Sequence, residues 1–163
     1  MRAIDPATFR SAASRFATGV TVVTALDPAG QVCGMTANSF VTVSLAPPTV
    51  LILCASGRTH AAIPASRRYA VNVLPEHAAA LSAHFAGHSD PHLRLTYDLT
   101  DGLPRLPECL AFFACDVVRE IAIRDHTMFI AEVTACDHRD SAPLLFFGSR
   151  YHHGTGMPAV ASR

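Results

Sequence analysis

The feature that most constrains this chain is its punctuation. From Val20 onward, short β-branched and aromatic runs alternate with Pro, Gly and Asp turn signals, and no segment keeps a helical period for long. VTVVTAL (20–26) is followed by Asp27-Pro28-Ala29-Gly30 and a new run from Gln31, which is a hairpin signal. Phe40 to Leu45 and Thr49 to Cys54 are two further strands, separated by Ala46-Pro47-Pro48, where consecutive prolines cannot continue a ladder. Tyr69 to Leu74, Leu110 to Val118, Ile121 to Ile123, Thr127 to Cys136 and Leu144 to Tyr151 complete the strand set.

Helices are expected in three places. Asp5 caps the first, Pro6 takes its tolerated first position, Phe9, Ala13 and Phe16 share a face, and Gly19 stops it. A short helix follows Gly57 until Pro64 cuts it, and a third opens at Pro75, carries Leu81 and Phe85 on one face and ends near Gly87. His88 to Pro107, rich in polar residues, Pro and Gly, is expected to be a long loop. The fold class is therefore mainly β with peripheral helices: a closed or nearly closed β-barrel, in one domain spanning 1–163, with a core over about 9–153 and a tail over about 154–163. There is no GxGxxG turn, so a dinucleotide would not be held in the manner of a doubly wound sheet.

Composition excludes several chemistries. In 163 residues, 13 basic side chains balance 13 acidic ones, so no excess charge favours nucleic acid or an anionic membrane. All the basic residues are arginine; without lysine there is no Schiff base and no lysine-dependent phosphate loop. No run approaches the roughly 20 apolar residues of a membrane span. The opening MRAIDPATFRSAASRF has charges where an export signal needs an apolar stretch, and the five cysteines are widely spaced without a CxxC pair. The expected setting is the reduced cytoplasm. His152 and His153 are neighbours on a strand and point to opposite faces; with no HExxH and no spaced Cys/His set, no metal site is expected. A hydrolytic serine has no GxSxG elbow.

Three segments are able to carry chemistry. In GMTANSF (34–40), Thr36, Ala37, Asn38 and Ser39 interrupt a strand with small polar groups and free amides, which suits a flat heteroaromatic ring with polar edges; a polar bulge at a barrel edge would look the same. Ala55-Ser56-Gly57-Arg58-Thr59 brings hydroxyls, an arginine and helix N-terminal amides together as a phosphate seat, or as ordinary N-capping beside a solvated arginine. Arg124-Asp125-His126 places a histidine on a turn, where it orients an amide ring or simply decorates a hairpin.

Taken together and in order, FATGVTVVTA, GMTANSF, VSLAPPTVLI, Gly57-Arg58-Thr59, YAVNVL, HFAG, Asp125-His126, PLLFF and Arg150-Tyr151 resemble the short-chain flavin reductase family, from about Phe9 to His153. The resemblance implies an FMN-binding split β-barrel, a homodimer with its flavin site near the subunit interface, and transfer of hydride from NADH or NADPH to FMN or FAD. The reduced flavin would pass to a partner oxygenase. By the same resemblance Thr36, Ala37, Asn38 and Ser39 line the isoalloxazine through backbone groups, and Ala55, Ser56, Arg58 and Thr59 take the phosphate end. Phe85, Ala86 and Gly87 close over the ring edge. Asp125 and His126 meet the nicotinamide, His126 being the candidate catalytic residue, with Tyr151 nearby. A flavoenzyme with tightly bound FMN, like pyridoxamine phosphate oxidase, and a flavin- or haem-binding barrel without activity are the alternatives. Two positions depart from the family pattern. Arg124 stands where the family has glycine, which would be strained if the turn needs a positive φ, and Gly57 stands where relatives often have serine.

Overall fold

The computed structural model describes residues 3–155; the end of the expected C-terminal tail, 156–163, lies outside the described residues. The chain begins with α1 (Pro6–Ala13), capped as expected: the Asp5 carboxylate accepts from the Thr8 amide at 3.0 Å and Pro6 opens the helix. It ends at Ala13, before Phe16 and Gly19, and Gly19 lies instead in β1 (Thr18–Gly19). No residue of α1 is buried.

Next come β2 (Thr21–Leu26), β3 (Val32–Ala37), β4 (Val41–Leu45), β5 (Pro48–Ala55), α2 (Arg58–Ser66), β6 (Arg68–Val73) and α3 (Ala79–Phe85). The chain closes with β7 (Asp98–Thr100), β8 (Leu103–Arg105), β9 (Ala111–Ile123), β10 (His126–His138), β11 (Leu144–Phe147) and β12 (Arg150–His153). Seven strands form one antiparallel sheet in the order β3-β2-β6-β9-β10-β5-β4, and β1-β11-β12 form a second. The long sheet curls until its first strand meets its sixth. Ser39, just past β3, donates its hydroxyl to the Leu53 carbonyl of β5 and accepts from the Leu53 amide, both at 3.1 Å.

Curling explains why the central strands do not alternate. In β2, Val23 and Ala25 face the barrel interior with Ile52, Ile63, Tyr69, Val71 and Phe129, while Val20, just before β2, and Val22 pack outward against Leu74, Leu103, Leu106, Phe112 and Leu144. Both faces are buried, so the run is buried almost continuously, with only Thr21 and Thr24 polar. Between them Asn72 is fully buried and fully used: its Nδ2 donates to the Val22 carbonyl (3.2 Å) and to Thr24 Oγ1 (3.1 Å), and its Oδ1 accepts from the Leu106 amide at 2.8 Å.

Several expectations are corrected. Pro64 lies inside α2, which runs to Ser66 and turns at Arg67 with φ 59°. The helix after β6 starts at Ala79, because Pro75 first bridges to Pro143. The stretch 88–107 is not all loop: β7 and β8 form a hairpin that Thr24 anchors, donating Oγ1 to the Pro104 carbonyl at 2.6 Å. Leu110–Val118 and Ile121–Ile123 fuse into one 13-residue strand, and Leu144–Tyr151 divides into two strands about Gly148. Only Ala46-Pro47 forms the connection after β4, since Pro48 already pairs with Leu45. The cysteines at 33, 54, 109 and 115 are buried thiols; Cys136 alone among the five is exposed.

Candidate active site

The edge strand β3 lines two cavities. Cys33, Met35 and Ala37 turn into the barrel core, which leaves Val32, Gly34 and Thr36 on the outer face, under α3. Gly34 makes that arrangement fit: a Cβ there would stand 2.8 Å from Phe85 Cε1 and 3.2 Å from the Val23 carbonyl. The Phe85 ring therefore rests on the backbone of β3.

Two hydrogen bonds hold α3 in place. Thr36 Oγ1 donates to the Ser82 carbonyl at 2.6 Å, and the fully buried Ser82 hydroxyl pairs with the Tyr151 hydroxyl of β12 at 2.8 Å. Tyr151 in turn meets Phe146 edge-on, with ring centroids 5.6 Å apart. Strand, helix and second sheet thus enclose a cavity of about 220 Å³ lined by Val20, Thr36, Ala37, Asn38, Ala86, Phe146 and Tyr151. The hydroxyls of Thr36 and Ser39 are already spent on protein partners, so neither is free for a ligand in this arrangement. The amides of Asn38 and Ser39, in contrast, make no backbone–backbone hydrogen bond among the described residues. A flat ring with polar edges fits that combination of small side chains and unpaired amides.

The second group forms where β5 meets β10. His126 is the register partner of Ala55, so the Asp125-His126 turn lies beside the Ala55-Ser56 bend that leads into α2. His126 Nδ1 is 2.9 Å from Asp125 Oδ1. Hydrogen bonding from His126, foremost, holds the Asp125 carboxyl below its ordinary range; an ionised carboxylate only accepts, so Nδ1 carries a hydrogen, and in the neutral tautomer Nε2 is the accepting nitrogen. Arg124 has φ 56°, the conformation in which its family glycine would be unstrained; as a lone non-glycine in a tight hairpin it costs on the order of 1–2 kcal/mol.

Arg58 is well exposed, and among the described residues its one hydrogen-bond and ion-pair partner is Asp27, at 3.4 Å. Thr59 is buried, with its hydroxyl beside the Cys33 thiol, whereas the other proposed phosphate-end residues, Ala55, Ser56 and Arg58, are exposed. The structure brings Thr36, Ala37, Asn38, Ala86 and Tyr151 into one cavity; Phe85 and Gly87 line the neighbouring one with Arg58. Ala55, Ser56, Asp125 and His126 make up the β5–β10 corner.

Two residues here were not singled out from sequence. Ser82 sits in an unremarkable AALSAHF helix, and His60, whose Nε2 is 2.9 Å from Thr127 Oγ1, ties α2 to β10 next to His126. Only their partners, 69 and 67 residues away, give them meaning. Among the described residues no group of three His, Cys, Asp or Glu side chains is placed to hold a metal, and no helix is long and apolar enough to cross a membrane.

A mostly β chain with this curled sheet, flanking helices and edge-strand cavity has the split-barrel architecture of flavin reductases. Residues 13–155 match the flavin reductase like domain, and the chain belongs to that family. It is 41% identical over 159 residues, 95% of this chain and 93% of the relative, to the NADH-dependent flavin reductase StyB of Pseudomonas fluorescens. Among solved structures it is similar to the flavin reductase PheA2 in its native state, with TM-score 0.88 and 41% identity over 92% of this chain and 98% of that one. The styrene monooxygenase flavin reductase SMOB from Pseudomonas putida S12 superposes with TM-score 0.86 and 41% identity, covering 93% and 99%.

Proposed function

We propose that this chain is an NAD(P)H:flavin oxidoreductase that supplies reduced FMN or FAD to a separate monooxygenase, acting as a cytoplasmic homodimer with a single domain over 1–163. The observation that carries the reading is the cavity on β3, closed by Tyr151 and Ala86 and lined by Asn38, whose amide, like that of the neighbouring Ser39, makes no backbone–backbone hydrogen bond among the described residues. The activity of the relative from Pseudomonas fluorescens, NADH-dependent flavin reduction, and the styrene monooxygenase context of SMOB supply the reaction and the recipient.

Hydride transfer between nicotinamide and flavin is the chemistry of those two groups themselves. What the chain contributes is placement. The Asn38 and Ser39 amides would hydrogen-bond the polar edge of a bound flavin and would favour negative charge there. The Thr36–Ser82–Tyr151 chain fixes the wall against which the rings stack, and Phe85 and Ala86 keep water from it. Ser56 and Arg58 hold a phosphate at the start of α2. Asp125 orients His126 so that Nε2 accepts an N–H from the nicotinamide carboxamide.

The dimer is supported by apolar surface that one chain leaves uncovered. Phe9 and Phe16 are 66% and 78% exposed, and the outermost strand β4 exposes Val41, Val43 and Leu45, the last at 91%. A second copy covers these residues in the proposed assembly.

Steady-state assays crossing NADH and NADPH with FMN, FAD and riboflavin test the activity; absence of nicotinamide oxidation with every flavin would refute it. His126→Ala is expected to raise the nicotinamide KM while flavin affinity stays unchanged. Full turnover with an unaltered KM would remove His126 from the mechanism.

A further inference from the structure

A third cavity lies away from β3, between the connector that leads into α3, the 93–96 stretch and the 106–109 turn. Its volume is about 330 Å³, within the roughly 300–1,000 Å³ of small-molecule sites. It shares no lining residue with the cavity at Thr36 and Tyr151, and only Leu95 with the one beside Arg58. Ala80 and Leu81 line it, whereas Ser82 and Ala86 serve the flavin wall from another side of the same helix and its cap.

Depth sorts the lining by polarity. Leu74, Ala78, Leu106 and Cys109 are buried and make the floor, and half-buried leucines rise from it to the mouth. Burial, foremost, raises the Cys109 pKa, so the floor carries no charge at neutral pH. The charged side chains stand at the exposed rim: His77, Arg94 and Glu108. They are not equivalent. Glu108 is engaged by His77, whose Nε2 is 2.8 Å from its Oε2. Arg94 has no ion-pair partner among the described residues.

We propose that this cavity binds a small carboxylate with a compact, one-ring apolar body, the ring among the leucines and the carboxylate on Arg94. The site goes beyond the reductase reading and does not depend on it. A closed aliphatic floor without polar groups accepts an apolar ring and nothing that needs hydrogen bonds at depth. The planar guanidinium fork matches a carboxylate, which it can hold with two parallel hydrogen bonds. A phosphate, with more charge, would face the Glu108 carboxylate beside that single cation, and an amine would meet Arg94 itself. The volume has room for one ring with a short arm, which is too little for a dinucleotide.

The probe is phenylacetate, with phenylacetamide as its uncharged counterpart. Both are titrated by NMR into the full chain saturated with FMN, so that the flavin cavity is filled. The proteins are the wild type, Arg94→Gln and Ala80→Leu. Arg94→Gln removes the charge at an exposed position, and Ala80→Leu adds bulk to the cavity from an exposed helical position where leucine is well tolerated. Phenylacetate is expected to bind the wild type with a Kd on the order of 1 mM or tighter, and the amide roughly five- to tenfold more weakly. Arg94→Gln should bring the acid to the level of the amide while changing the amide by less than about twofold. Ala80→Leu should weaken both by about tenfold or more. Urea midpoints show that each variant is folded, and the exposed Arg94 comparison decides the head group even if leucine at 80 shifts the packing. Absence of phenylacetate binding up to ~10 mM, equal affinity for acid and amide, or binding that Ala80→Leu leaves unchanged would overturn the proposal. So would phenylacetate binding that FMN abolishes, because the probe would then sit in the flavin cavity. A chain that binds phenylacetate through Arg94 but reduces no flavin would sink the reductase reading and leave this site standing.

Discussion

Replacing Ser82 by alanine removes one oxygen from the interior and tests how the flavin wall is held. The helix itself should stay docked, because Thr36 donates to the Ser82 main-chain carbonyl, which alanine retains. What is lost is the 2.8 Å bond to the Tyr151 hydroxyl. A neutral hydrogen bond of this kind is worth about 0.5–1.5 kcal/mol net. Tyr151 is 38% exposed, so water replaces its lost partner and the stability loss should be near 1 kcal/mol rather than the larger penalty of a stranded buried group. If the bond serves to hold Tyr151 against the ring, the same ~1 kcal/mol appears in flavin binding as a roughly fivefold higher Kd. Fluorescence titration with flavin reads the binding, and urea unfolding reads the stability. Tyr151→Phe should raise the flavin Kd by the same factor but cost more stability, about 1–3 kcal/mol, because it strands the buried Ser82 hydroxyl; the double variant should relieve that penalty, so the two effects do not add. Flavin Kd values within about twofold of wild type in both single variants, or two effects that simply add, would refute the claim that this pair positions the wall.

Asn72→Ala removes the three hydrogen bonds that join β6, β2 and the Leu106 amide and should cost about 3 kcal/mol or more, seen as a lower urea midpoint. The Asp101 carboxyl is held below its ordinary 3.8 by Thr134, foremost, and by Arg68. Its contribution is complete above that value and is lost as pH falls through the lower folded value, so Asp101→Asn should be less stable than wild type at pH 7 and the two unfolding curves should converge below about pH 3.8. Leu45→Glu introduces a charge where one chain leaves the side chain 91% exposed, so it should scarcely disturb the protomer yet shift the proposed dimer to monomer in light scattering. An unchanged dimer mass would place the interface elsewhere.

Local physics was legible from the residues. The Asp5 cap, the Asp27–Gly30 turn and the β-branched run of β2 depend on neighbours within a few positions, and each forms where it was expected. Expectations failed where tertiary contacts outweigh local propensity. Pro64 breaks no helix, because Ala62 and Ile63 are buried against the barrel and packing holds the turn together. The β7–β8 hairpin looks like loop in sequence because its support is remote: Thr24 reaches Pro104 across 80 residues. The first helix stops at Ala13, so Phe16 lies beyond it and the expected three-residue face does not form on one helix; Phe9 and Phe16 find nothing to bury against within one chain.

The sequence by itself determined the order of strands and turns, the absence of lysine chemistry, and the set of blocks that places the chain among flavin reductases. Those properties are carried by residue types and short spacings. Only the tertiary structure decided which polar groups remain free to meet a ligand. The resemblance has Thr36 and Ser39 meet the ring through backbone groups, and the closed barrel supplies the reason: it commits the Thr36 hydroxyl to Ser82 and the Ser39 hydroxyl to Leu53. The physical reason is that a buried polar group takes a hydrogen-bond partner, and which one it takes depends on how the distant segments come together.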